Sequence, residues 1–222
     1  KDLLISIKTD EDGNVTNGTS FRIWLPMGKI NSDNGKPMMY AGTFDGKGYS
    51  ISGVYANLYD APVEDPKNIY NNKNYAGLFG LHAGVTRNLS VLDSYMRGED
   101  CIGGICGYKD GGTVQNCYSA ATVCGDFYIG GICGCSEGDS IIENCYNTGY
   151  VSSETGIVGG IVGDDGKTLD ATLPTISNCY NTGKIEAKTY SVSVTKIIED
   201  TYVGGITGGN HGNLTKCWNS GE

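Results

Sequence analysis

Apolar positions in this chain tend to fall three apart, where a flat strand would place them two apart. Val114 and Cys117, Ile142 and Cys145, Ile176 and Cys179, and Leu214 and Cys217 are such pairs. Residues three apart lie on opposite faces of a flat strand, so the chain must turn a corner between them if both are to face one core. Asn116, Asn144 and Asn178 stand just before the cysteine. Asparagine accepts the left-handed backbone of a tight corner more readily than other residues that carry a side chain. Ile102 and Ile105 repeat the spacing with Gly103 and Gly104 as the bend. The pattern predicts short strands joined by corners, with equivalent strands stacked in parallel about 4.8 Å apart. No stretch of a dozen residues has apolar positions at helical spacing, so helix should be scarce.

The corners belong to two alternating phrases. The first is Ile102-Gly103-Gly104-Ile105-Cys106-Gly107, copied at 129–134, 158–163 and 203–208, with a worn form in Tyr75-Ala76-Gly77-Leu78-Phe79-Gly80. The second is Asn116-Cys117-Tyr118, copied as Asn144-Cys145-Tyr146, Asn178-Cys179-Tyr180 and Lys216-Cys217-Trp218; Asn88-Leu89-Ser90 answers the worn copy. The closing glycines at 80, 107, 134, 163 and 208 give steps of 27, 27, 29 and 45. A period of this size marks a repeat architecture in which each unit covers its neighbour's open hydrophobic face. The expected fold is all-β, a β-solenoid of the parallel β-helix kind, forming a single domain over residues 1–222. Residues 1–74 make its lead-in coils and an excursion, and residues 75–222 the repeat stack. A 27-residue turn is long for a plain three-sided β-helix, so either each coil carries a protruding loop or the unit is a different β-solenoid.

Ahead of the repeats, Leu3–Ile7 and Phe21–Leu25 read as strands around the turn at residues 10–14. Residues 44–54 read as a strand, a glycine-bracketed turn and a second strand, and residues 56–74, with Pro62 and Pro66, as an excursion. Two insertions break the rhythm. One spans Asp164 to Pro174; the other, at 189–200, contains the alternating Tyr190-Ser191-Val192-Ser193-Val194. Such insertions map to rim loops, where binding usually sits, and their acids Asp164, Asp165, Asp170, Glu199 and Asp200 suit a basic or cation-bridged partner.

Composition agrees with a folded chain: 39% of residues are hydrophobic and 18% charged, and 35 glycines against 5 prolines suit a structure that turns at the same place in every repeat. A net charge of -9 without a basic cluster argues against a nucleic-acid partner. No apolar run is long enough to span a bilayer, so membrane insertion by this chain is not expected. The chain ends just after Asn219-Ser220-Gly221, a phrase that elsewhere leads into another strand, which suggests a longer parent protein with further domains.

The two phrases, with Trp24-Leu25-Pro26-Met27-Gly28 and the stretch Gly42 to Gly53 ahead of them, resemble the GLUG-motif repeat proteins over roughly residues 20–221. That resemblance implies large secreted or wall-attached bacterial proteins and includes non-catalytic regions of immunoglobulin A peptidases. It implies no catalytic residues and no cofactor.

Each candidate chemistry has a plain structural alternative. Tyr118, Tyr146, Tyr180 and Trp218 each follow the repeated cysteine, so they line up outside if the cysteine points in. They could bind a glycan or a protein partner, or simply protect the sheet face. Of nine cysteines, Cys117, Cys145, Cys179 and Cys217 share one repeat position and are expected to form an inward ladder of free thiols. Cys101 with Cys106, Cys133 with Cys135, and the distant His82 and His211 make a poor zinc set, so no metal site is expected. Asp10-x-Asp12-x-Asn14 imitates the start of a calcium loop but lacks its glycine and distal glutamate, and reads as a solvated turn. Asp164-Asp165, at the head of an insertion, is the adjacent acid pair that a polysaccharide-processing enzyme could use, and two sequence neighbours need not face one bond. The leading expectation is therefore a non-catalytic secreted or cell-surface module, an adhesin or spacer; the alternative is a polysaccharide lyase or hydrolase.

Overall fold

The structure, a computed structural model, describes residues 7–18, 21–31, 34–61, 73–166, 172–188 and 202–222. Three parallel sheets form the stack, and the repeats visit them in a fixed order. Cys106–Asp110 lies in a five-stranded sheet, Thr113–Ser119 in a ten-stranded sheet and Thr122–Gly130 in a seven-stranded sheet; Cys133–Glu137 then returns to the first. Strands pair in register from coil to coil. Cys106 meets Cys133 and then Val162, Val114 meets Ile142 and then Ile176, and Ile102 meets Ile129 and then Val158. The fold is thus the all-β parallel solenoid that the spacing predicts, with no α-helix among the described residues.

The corners are where the asparagines put them. Asn88, Asn116, Asn144, Asn178 and Lys216 have φ of 54°, 53°, 52°, 51° and 53°. Val114 with Cys117, Ile142 with Cys145 and Ile176 with Cys179 are therefore all fully buried despite their odd spacing. A second corner, at Cys101 and Tyr128 with φ of 55° in both, folds the seven-stranded sheet. Two bent sheets out of three accommodate the long turn without a protruding loop. Each Val, Leu or Ile buried in these rows contributes about 1.5–3 kcal/mol.

The paired glycines serve close approach. A Cβ on Gly131 would collide with the Gly160 carbonyl and with the Asn147 side chain. Gly160 stands in the same way against Asn181, and Gly205 against Asn219. The second glycine of the first phrase thereby makes room for the asparagine that follows the aromatic residue of the second.

Residues 21–31 and 34–40 lie against the first strand of the five-stranded sheet. Trp24 donates its backbone N–H to the Tyr55 carbonyl at 2.7 Å and its Nε1 to the Leu78 carbonyl at 3.2 Å. Met27 and Tyr40 bridge to Phe79 and His82, covering the edge of the strand Phe79–His82. Covering an edge in this way blocks further pairing there. The strand expected at Phe21–Leu25 is instead extended chain without a ladder, because it meets single carbonyls. The strand-turn-strand reading of 44–54 holds: Thr43–Asp45 and Ser50–Ser52 flank Lys47 and Gly48 at positive φ, and both strands pair with Val85–Leu92. Most of the expected strand Leu3–Ile7, most of the excursion at 56–74, part of the 164–174 insertion and the whole alternation at 190–194 lie outside the described residues. Asp164 and Asp165 prove to be the end of the strand Val162–Asp165, so they belong to the stack and not to a loop.

Candidate binding surface

The second phrase sets its aromatic residue on the outer side of the ten-stranded sheet, one position beyond the inward cysteine. In-register pairing then brings the rings together: Tyr118 to Tyr146, Tyr146 to Tyr180 and Tyr180 to Trp218. Ring centroids are 4.1, 4.8 and 4.8 Å apart and interplanar angles 16°, 7° and 4°. Such rings cover one another's faces. The row offers solvent edges and hydroxyls, the Tyr118 hydroxyl lying 2.7 Å from Thr148 Oγ1. One face of the last ring stays open, that of Trp218, which is 53% exposed. Tyr118 at the other end of the row stacks on Tyr146 alone, its in-register neighbour on the far side being Ser90.

Beside the aromatic row runs a ladder that the sequence reading did not single out. Asn147 Nδ2 donates to Asn181 Oδ1 at 2.8 Å, and Asn181 Nδ2 to Asn219 Oδ1 at 2.8 Å. Each amide also clamps its own turn: Asn181 accepts from the Gly183 N–H at 3.2 Å and donates to its carbonyl at 2.9 Å. The available signal was the recurrence of Asn, a hydroxyl residue and Gly at 147–149, 181–183 and 219–221.

The acid pair does not converge. Asp165 points into the coil, where burial pushes its carboxyl up to about 6 and its Oδ1 accepts the His211 N–H at 2.6 Å and the Gly212 N–H at 3.3 Å. Asp164 lies in the outer row that contains Tyr108 and Cys135, with its Oδ1 3.7 Å from His211 Nε2. Neighbours along a strand face opposite ways, so the two carboxyls cannot flank one bond. Asp165 instead ends an interior polar row of His82, Lys109 and Ser136, all fully buried and paired in register. Lys109 Nζ donates to the carbonyls of Gly84 and Gly111 at the coil's corner, and His82 Nε2 lies 2.9 Å from Thr86 Oγ1. Burial, with Lys109 nearby, pushes His82 down to about 3.

The cysteines divide by face. Cys117, Cys145 and Cys179 are buried free thiols in one ladder, as expected, while Cys217 at its end is partly exposed. Cys101 and Cys135 form a disulfide with a Cα separation of 5.4 Å. The pairing crosses between coils, joining the corner before one first phrase to the strand after the next, so sequence spacing gives no hint of it. Inside the coil, Cys106 and Cys133 stand opposite with their sulfurs 3.3 Å apart. The Asp10 turn closes on itself, Asp10 Oδ1 accepting from the N–H groups of Asp12 at 3.1 Å and Asn14 at 2.8 Å. On the outside of the seven-stranded sheet a groove of about 520 Å³ is lined by Asp12, Asn14, Arg97, Asp126, Glu154, Thr155 and Lys188. Within it Lys188 lies 3.7 Å from Glu154, and Asp126 accepts the Tyr59 hydroxyl at 3.2 Å. Among the described residues no helix is long and apolar enough to cross a membrane.

These features define a parallel β-solenoid repeat module whose recurring side chains pair with their own copies. The GLUG motif is present at residues 125–152, which bears out the resemblance read from the phrases. A protein named halomucin from Haloquadratum walsbyi is 31% identical over 122 residues, covering 53% of this chain and 1% of its own length. The chain thus corresponds to about one hundredth of that relative. A Bacteroides ovatus crystal structure, its protein provisionally described as an immunoglobulin A1 protease, is 20% identical with a TM-score of 0.40. The match covers 80% of this chain and 68% of that one.

Proposed function

We propose that this chain is a non-catalytic module of a secreted or cell-surface bacterial repeat protein, serving as a rigid spacer that presents other domains. The observation that carries this reading is the use made of the recurring residues. The aromatic row, the asparagine ladder and the cysteine ladder each bind one coil to the next, and the acid pair is split between two faces. An adhesin role is a second reading, favoured by the row of Tyr118, Tyr146, Tyr180 and Trp218 on the outer side of the ten-stranded sheet, whose edges and hydroxyls a glycan or a protein could contact. Incubation with a panel of neutral and acidic glycans separates the readings. The spacer predicts neither binding nor product; an adhesin predicts binding that Trp218→Ala removes. Product formation lost in Asp164→Asn or Asp165→Asn would favour the alternative, a polysaccharide lyase or hydrolase.

A further inference from the structure

Asp100, Cys101 and Cys135 place a carboxylate oxygen and two sulfurs within 4.8 Å of one another on the outer side of the stack. Among the described residues they are the one such group of three. We propose that in the dithiol state this triad is a binding site for a single thiophilic divalent cation of the zinc class. Three features of the backbone build it. The left-handed corner at Cys101, φ 55°, turns that side chain out over the following coil. The strand Cys133–Glu137 presents Cys135 on the outer row, opposite Tyr108, and its Cα stands 5.4 Å from that of Cys101. Asp100 precedes the corner, and its Oδ1 lies 3.5 Å from Cys101 Sγ.

Two thiolates and one carboxylate are a donor set that zinc accepts, and three protein ligands leave its fourth position open. Glu137, two residues beyond Cys135, accepts the Tyr108 hydroxyl at 2.7 Å and is not one of the three. The other close sulfur pair, Cys106 with Cys133, is fully buried and has no carboxylate in such a group. Entering the metal-binding state needs a two-electron reductant of the thiol or phosphine class. The S–S bond takes up two electrons and two protons, and the cation then displaces the two thiol protons. The oxidised disulfide cannot bind, so the site is filled or closed according to redox state.

The test is titration of the full chain with cobalt(II) and zinc, without oxygen, after reduction by a phosphine. One equivalent should bind, with a thiolate-to-cobalt charge-transfer band, and the oxidised chain should bind none. Cys135→Ser, which leaves one thiolate, should shrink the band and weaken binding by more than the about 10- to 100-fold typical of losing an outer partner. Asp100→Asn, which leaves both cysteines able to form the disulfide, should weaken binding while keeping the band. Cys106→Ser should change neither. The proposal is overturned if the reduced chain binds no stoichiometric cation, if Cys135→Ser or Asp100→Asn binds as well as the parent, or if the band follows Cys106.

Discussion

Asn147 and Asn181, one coil apart and both without solvent exposure, are joined by a 2.8 Å hydrogen bond between their side-chain amides. The bond connects two copies of the same phrase, and Asn181 repeats it to Asn219. A buried amide has two donors and an acceptor to satisfy, and leaving a buried group unpaired costs about 1–3 kcal/mol. A ladder of identical amides meets that demand in the coils of Asn147, Asn181 and Asn219, provided the repeat keeps its register and the facing glycine stays small.

That proviso gives a first prediction. Gly131→Ala should lower stability by about 1–3 kcal/mol, the usual cost of overpacking, because its methyl would meet Asn147 and the Gly160 carbonyl. Chemical denaturation measures it; an unchanged midpoint would mean that the glycine serves some purpose other than clearance.

The aromatic row makes a comparison of positions informative. Tyr146 stacks on both sides, whereas Trp218 stacks on one. Each aromatic pair is worth about 0.5–1.5 kcal/mol beyond area, so Tyr146→Ala should cost more than Trp218→Ala in the same denaturation series. Equal losses would show that the stack does not hold the coils together.

Thiol counting tests the cysteine assignment. Unfolded without reductant, the chain should release the seven free thiols, and nine after reduction. In the native state only Cys217, partly exposed at the ladder's end, should react fast. Breaking the Cys101–Cys135 bond, which closes a loop of 34 residues, should cost about 2–4 kcal/mol. Nine thiols in the unreduced unfolded chain would remove the disulfide.

Much of this fold could be read in the sequence because a solenoid repeats its physics. Asparagine before Cys117, Cys145 and Cys179 marked the corner, and the odd spacing of Val114 and Cys117 had one geometric solution. The outward placement of Tyr118, Tyr146, Tyr180 and Trp218 followed from the same step. What escaped were relations between coils. The disulfide of Cys101 and Cys135 pairs different positions of two repeats, and the clearance between Gly131 and Asn147 joins different phrases. Neither appears when copies are aligned with themselves. The acid pair Asp164-Asp165 was visible but its split was not, since that depends on which side of the strand faces in.

The interior polar row predicts an unusual pH profile. His82, down at about 3, stays neutral where the unfolded chain's histidine takes a proton, so it makes stability rise with pH from about 3 to 6.5. Asp165, up at about 6, keeps its proton where the unfolded carboxyl has lost it, so it makes stability fall with pH from 3.8 to about 6. The two oppose each other over their shared window, and Lys109 holds its charge between them less readily than an exposed lysine because of burial. Asp165→Asn should therefore steepen the rise in stability between pH 4 and about 6, and His82→Gln should expose a fall. Parallel profiles for parent and both variants would contradict the burial of these groups.

The central claim, that the recurring residues bind each coil to the next, is tested most directly by a double-mutant cycle between Asn147 and Asn181. Asn147→Ala, Asn181→Ala and the double variant are unfolded alongside the parent, and the coupling is taken from the four stabilities. The ladder predicts a coupling of about 0.5–3 kcal/mol, as expected for groups sharing one hydrogen-bond network. Losses that add to within about 0.3–0.5 kcal/mol, as they do for independent sites, would contradict it.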